Sequence, residues 1–136
     1  AIYEKSLAGS RAIIAGTKAA GVRRLLVVGG AGSLEVAPRA QLVDQPAFPA
    51  EWKDGARAAR DLLTELRGET GLDWTFFSPA IHSEPGPRTG HYRLGGDQLL
   101  VDDKGESRIS WADFAVAVVD EAERAAHPRT RVAVAY

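Results

Sequence analysis

The sequence predicts an α/β protein built on a parallel sheet buried on both faces, and three observations predict it. Helix-like and strand-like segments alternate along the 136 residues in the order helix, strand, helix, strand, short strands, helix, strand. Alternation at this spacing implies right-handed crossovers into a parallel sheet. The run Arg24-Leu25-Leu26-Val27-Val28 carries no polar alternation, which suits a strand buried on both faces. Finally, turn residues follow both central strand candidates directly, Gly29-Gly30 after the first and Ser78-Pro79 after the second.

Each element has its own justification. Tyr3, Leu7, Ile14 and Lys18 keep a helical spacing over 2–20, and Gly21 stands where a helix ends in left-handed backbone. The strand 24–28 follows. Residues 29–49 read as irregular, with glycines first and prolines at Pro38, Pro46 and Pro49. Trp52, Ala56, Ala59, Leu63 and Leu66 form one apolar stripe of a helix over 51–67. Residues 73–77 give the next strand. A Pro- and Gly-rich loop spans 83–90, and 92–94 with 98–102 read as a small hairpin. Ser110 and Asp113 make a capping-box start for the last helix, with Ile109 and Phe114 at the staple positions. That helix is expected to reach about residue 126, before a final strand over 131–135.

Composition bounds the function. Hydrophobic residues make up 45% and charged residues 26% of the chain, with a net charge of −1, so no electrostatic footprint for nucleic acid or anionic membrane is expected. Cysteine is absent, which removes thiolate catalysis and disulfides. His82, His91 and His127 lie apart without ligand spacing, and no metal site is expected. No apolar run approaches membrane-spanning length, and cytoplasmic residence is the expectation. There is no methionine, and the first residue is Ala1. With the order starting on a helix, this suggests that a strand feeding that helix is missing.

Gly29-Gly30-Ala31-Gly32-Ser33 tempts a phosphate-loop reading that the spacing rejects. The dinucleotide fingerprint needs Gly-x-Gly-x-x-Gly running into a helix; from Gly30 the third glycine position holds Glu35, and the prolines that follow forbid a helix. The location still matters, because open α/β sheets bind ligands beyond the carboxyl ends of their strands. Gly29, Gly30, Ala31 and Gly32 leave one strand, and Ser78, Pro79, Ala80 and Ile81 leave the next. These eight are candidate cofactor contacts; the plainer reading makes them strand-exit turns. Gly32→Val is expected to weaken nicotinamide binding with little loss of fold.

The segments "GVRRLLVVGGAGSLEV", "LDWTFFSPA", "PGPRTGHYRLGGDQLLVDDKGESRIS" and "DFAVAVVDEAE" together resemble the NAD(P)H-binding NADH-flavin reductase family. These are atypical short-chain-reductase relatives akin to biliverdin/flavin reductase B and NmrA-like proteins. The resemblance covers essentially the whole chain and is most specific from Pro79 to Tyr92. It implies a Rossmann-like doubly wound sheet of which this chain is the C-terminal half, all 136 residues belonging to one NAD(P)-binding domain. The N-terminal nucleotide-binding half would be missing, roughly 70 to 90 residues at about 30 per βαβ unit. That segment, or a partner chain, would then cover an open sheet edge, and residues 1–136 alone should not form a stable monomer.

The resemblance further implies NADP or NAD as cofactor, with FMN or FAD possible as substrate, and a reductase of flavin or quinone-like acceptors. The superfamily's Tyr-x-x-x-Lys pair is absent; Lys53 sits near where the family lysine reaches the nicotinamide ribose, and is otherwise a surface lysine. Hydride transfer to a flavin needs positioning more than a general acid. Ser33 and His82 are the only catalytic candidates, as a hydroxyl donor and an acid, with a turn hydroxyl and a solvated histidine as the plainer readings. A non-enzymatic NmrA-like module sensing NADP(H) fits the missing pair equally well.

Overall fold

The computed structural model describes residues 2–136. Its elements are α1 Ile2–Ala19, β1 Arg24–Val28, β2 Glu35–Ala37, β3 Ala40–Gln41, a 3-10 turn Leu42–Asp44, α2 Ala50–Arg67, β4 Asp73–Pro79, β5 His82–Glu84, β6 Arg93–Gly95, β7 Arg108–Ser110, α3 Trp111–Arg124 and β8 Thr130–Ala135. The main sheet has the order β1-β4-β8-β6. Its first three strands are parallel and β6 is antiparallel to β8.

Strand β4 explains why the sheet is wound on both faces. Successive side chains on a strand point to opposite sides. Trp74 and Phe76 enter the layer made with Leu7 of α1 and Leu62, Leu63 and Leu66 of α2. Phe77 enters the opposite layer with Val132 and Val134 of β8 and Ala117 of α3. Both phenylalanines are fully buried, each stabilising the fold by about 1.5–3 kcal/mol. Phe114 meets Phe77 edge-on, centroids 6.2 Å apart.

The start of α3 carries the expected cap: the Ser110 hydroxyl accepts from the Asp113 amide. The reciprocal half of the capping box does not form. The Asp113 carboxylate, fully buried, instead accepts from the amides of Thr89 and Gly90, the Thr89 hydroxyl and the Tyr136 phenol. Burial works against its charge, but those four donors outweigh it and hold the carboxyl well below the usual carboxylate range.

Several expectations are corrected. Residues 92–94 and 98–102 form no hairpin: β6 extends the main sheet instead, Leu94 opposite Val134, because β8 offers it a full ladder of backbone partners. Gln98 makes only a single bridge to Glu35. The stretch 29–49 is less irregular than its prolines suggest, since β2 and β3 pair as a tight antiparallel ladder before the 3-10 turn. Residues 82–84 pair with 108–110 as a parallel ladder. Helix α3 stops at Arg124, with Ala125 left-handed (φ 48°), because Glu121 captures the backbone amide and ring of His127. Trp52 does not join the buried stripe of α2 but is 63% exposed. It lies in the first turn of that helix, ahead of the buried residues Ala58, Leu62, Leu63 and Leu66.

β1 pairs only with β4 among the described residues, so its other edge is open, and Val28 at its end is 61% exposed. No helix of the described residues is long and apolar enough to cross a membrane.

Candidate site at the carboxyl ends of β1 and β4

Parallel register sets the site. Val28 lies opposite Phe77, and the Gly29 amide donates to the Phe77 carbonyl at 2.8 Å. The loops 29–34 and 78–82 therefore leave the sheet side by side, at the edge where open α/β sheets bind ligands.

The glycines in the first loop do different jobs. A Cβ on Gly29 would stand 2.0 Å from the Phe76 ring, so that residue is glycine to let β4 pack. A Cβ on Gly32 would stand 3.0 Å from the Ala56 Cβ and 3.3 Å from the Val43 Cβ. Gly30 alone of the three faces open space. The expectation that Gly32→Val would spare the fold is thus corrected: a branched side chain there must push α2 or the 3-10 turn aside.

Two cavities flank this loop. A groove of about 340 Å³ opens beside Gly29 and Gly30, walled by Ser6, Ser10, Gly55 and Ala59. A chamber of about 440 Å³ lies beside Ala31 and Gly32, walled by Phe48, Trp52, Pro79, Ala80 and Ile81. Among the described residues no ionisable side chain lines the chamber, and Gln45 and Ser83 line it as polar side chains. Its size is that of a small-molecule site, apolar with a few polar groups. The structure thus divides the candidate loop residues, placing Gly29 and Gly30 on the groove and Ala31, Gly32, Pro79, Ala80 and Ile81 on the chamber. Lys53 is exposed, between Trp52 of the chamber and Gly55 of the groove.

Ser33, Ser78 and His82 do not line the chamber. Ser33 is buried, its hydroxyl accepting from Arg131 Nη1 at 2.9 Å and its carbonyl from Nη2 at 3.3 Å. Ser78, also buried, accepts from Arg131 Nη1 at 3.1 Å. His82 is exposed in β5, its amide donating to the Ser107 carbonyl.

Sequence reasoning missed Arg131. This buried guanidinium on β8 ties the two loops together and reaches Asp97 Oδ1 at 3.0 Å. Asp97 also pairs with Arg67 at 2.7 Å. Burial opposes the Asp97 charge, but the two guanidiniums prevail and lower its pKa; burial in turn lowers that of Arg131, against the pull of Asp97. One signal was available: Arg131 is the only charged residue in an otherwise apolar run over 131–135. Among the described residues no cluster of His, Asp and Glu could hold a metal ion.

Comparison with known proteins fits this geometry. The model of a family described as NAD(P)H-binding matches residues 4–122. The uncharacterized protein YwnB of Bacillus subtilis is 46% identical over 127 residues, covering 91% of this chain and 60% of that protein. The solved structure of a candidate epimerase from Bacteroides thetaiotaomicron superposes with a TM-score of 0.88 at 46% identity, covering 91% of this chain and 58% of that one. A candidate NADH-flavin reductase from Streptococcus pneumoniae gives a TM-score of 0.77 at 43% identity, covering 82% and 55%. The chain spans under two thirds of the length of each of these relatives.

Proposed function

This chain belongs to the NAD(P)H-binding family, and from that premise we propose that it is part of a single Rossmann-like domain in an NAD(P)H-dependent reductase of flavin- or quinone-like acceptors. The observation that carries the reading is that one loop at the carboxyl end of β1 puts the open position Gly30 on the groove and puts Ala31 and Gly32 on the apolar chamber.

The residues present fit a nicotinamide. Gly30 lines the groove with open space where a Cβ would stand, and Gly29, Gly30, Ala31 and Gly32 with Ser78, Pro79, Ala80 and Ile81 make up the two loops that would hold its ring end. Lys53 would serve the ribose. The reduced nicotinamide supplies a hydride when bound, and the acceptor takes that hydride and one proton from solvent, leaving NAD(P)⁺ and a two-electron-reduced acceptor. The chain's own work is positioning and exclusion of water: Arg131 fixes the loops, and the apolar walls desolvate the acceptor.

The epimerase description of one relative fits less well. Sugar epimerisation and alcohol oxidation both need a positioned proton acceptor, and these 136 residues hold no Tyr-x-x-x-Lys pair, which supplies it in the superfamily. The open edge of β1 also bears on the whole protein. A further strand, from the length that the relatives carry beyond this chain or from a partner chain, would cover it.

The test is loss of NAD(P)H absorbance by the full-length protein with FMN or menadione added. Acceptor-dependent oxidation supports the reductase. Tight cofactor binding with no turnover on any such acceptor supports the sensory alternative instead.

A further inference from the structure

We propose that Trp52 selects the acceptor, stacking its indole on an uncharged planar ring held at the mouth of the chamber; this rests on the reductase reading above. A tryptophan on an amphipathic helix normally earns its place in the core. Here Leu62, Leu63 and Leu66 of the same helix are buried in the sheet-facing layer, while Trp52 is 63% exposed and joins no core cluster. It instead lines the chamber together with Pro79, Ala80 and Ile81 of the second loop.

The chemistry of the walls defines what the chamber would take. Phe48 and Trp52 offer flat aromatic surface, and offset or edge-on ring contacts are attractive beyond simple area burial. Among the described residues no side chain with a formal charge lines the space, so a phosphate or sulfonate on the bound ring would give up hydration without gaining a cationic side chain. Gln45 and Ser83 can each offer a hydrogen bond to a ring carbonyl or amide. An uncharged quinone or a bare isoalloxazine matches that set. A phosphorylated side chain on a flavin should contribute nothing here, and a charge on the ring itself should be excluded.

The experiment uses the full-length protein with menadione, riboflavin, FMN and a naphthoquinone sulfonate. Because Trp52 is exposed, Trp52→Leu should change stability little. It should raise the KM for menadione about 10-fold, the equivalent of ~1.4 kcal/mol of lost stacking, without altering NAD(P)H affinity. Trp52→Phe should restore most of the loss, and Trp111→Leu, an exposed control on α3, should leave KM unchanged. Riboflavin and FMN should react alike, and the sulfonate poorly. Titrating menadione should quench tryptophan emission in the wild type and much less in Trp52→Leu. An unchanged KM in Trp52→Leu, no rescue by phenylalanine, or quenching that survives loss of Trp52 would overturn the proposal. If the wild type oxidises no NAD(P)H, the reductase reading fails. The quenching titration then decides the ring site by itself, supporting it if Trp52-dependent and overturning it if not.

Discussion

Arg131, on the last strand, donates to both the hydroxyl and the carbonyl of Ser33, 98 positions earlier in the chain. The glycine-rich loop is therefore held by a buried charge in the core. Its shape does not depend on a helix following it. Arg131→Met should cost about 2–4 kcal/mol, since it leaves the oxygens of Ser33 and Ser78 without their donor in a buried setting. Arg131→Lys should rescue little, because an ammonium cannot reproduce the guanidinium fork. Urea denaturation measures the loss, and NAD(P)H titration should show weaker binding in both variants.

Ser33 separates structure from chemistry. If its hydroxyl serves Arg131, Ser33→Ala should lower stability by about 1–2 kcal/mol and leave the pH profile of turnover unchanged. A large fall in kcat with stability intact would make Ser33 a catalytic donor after all.

The three loop glycines should differ in kind. Gly29→Ala forces a Cβ into the Phe76 ring and should destabilise by about 1–3 kcal/mol. The Cβ of Gly30→Val would meet no neighbour, so its stability should stay within about 0.5 kcal/mol while NAD(P)H affinity falls. Thermal melting beside calorimetric titration distinguishes the two patterns.

Asp113 gives the fold an acid limit. Its folded pKa is depressed by the donors from Tyr136, Thr89 and Gly90, against the opposing effect of burial. A carboxyl with a depressed folded pKa adds stability above its unfolded value, about 3.9. That stability is lost as the pH falls through the unfolded pKa towards the folded one. Acid titration of stability should lose this component in Asp113→Asn, which should be less stable at neutral pH by about 2–4 kcal/mol.

The layered fold was legible because its signals are local or periodic. The unalternating run at β1, the cap at Ser110 and the strand over 73–77 announce themselves within a few residues. What stayed hidden depends on partners distant in sequence. Strand β6 chose β8 over a hairpin because of an edge that only the assembled sheet possesses. Asp113 looked like half of a capping box until the loop at Thr89 arrived to claim it. Trp52 matched the helical stripe by spacing, yet nothing local reveals that the first turn of α2 leaves it exposed. The two loops of the candidate site were readable from strand order; the pin between them was not.

The open edge of β1 makes a prediction about the whole protein. Residues 1–136 expressed alone should self-associate, because an unpaired strand edge with exposed Val28 beside it invites pairing. A form extended to the length of the relatives should sediment as a discrete species. A monodisperse monomer of 1–136 with a cooperative melt would show that the edge needs no cover.

The central claim is direct hydride transfer at the carboxyl ends of β1 and β4, and single-turnover oxidation of NADPH deuterated at C4 tests it most directly. With menadione as acceptor and full-length protein, the reductase predicts that deuterium on one of the two C4 faces slows the reaction while deuterium on the other does not, and that Gly30→Val weakens the NADPH dependence of that rate. Cofactor bound at this site with no acceptor-dependent oxidation, or oxidation indifferent to deuterium on either face and to Gly30→Val, would contradict it.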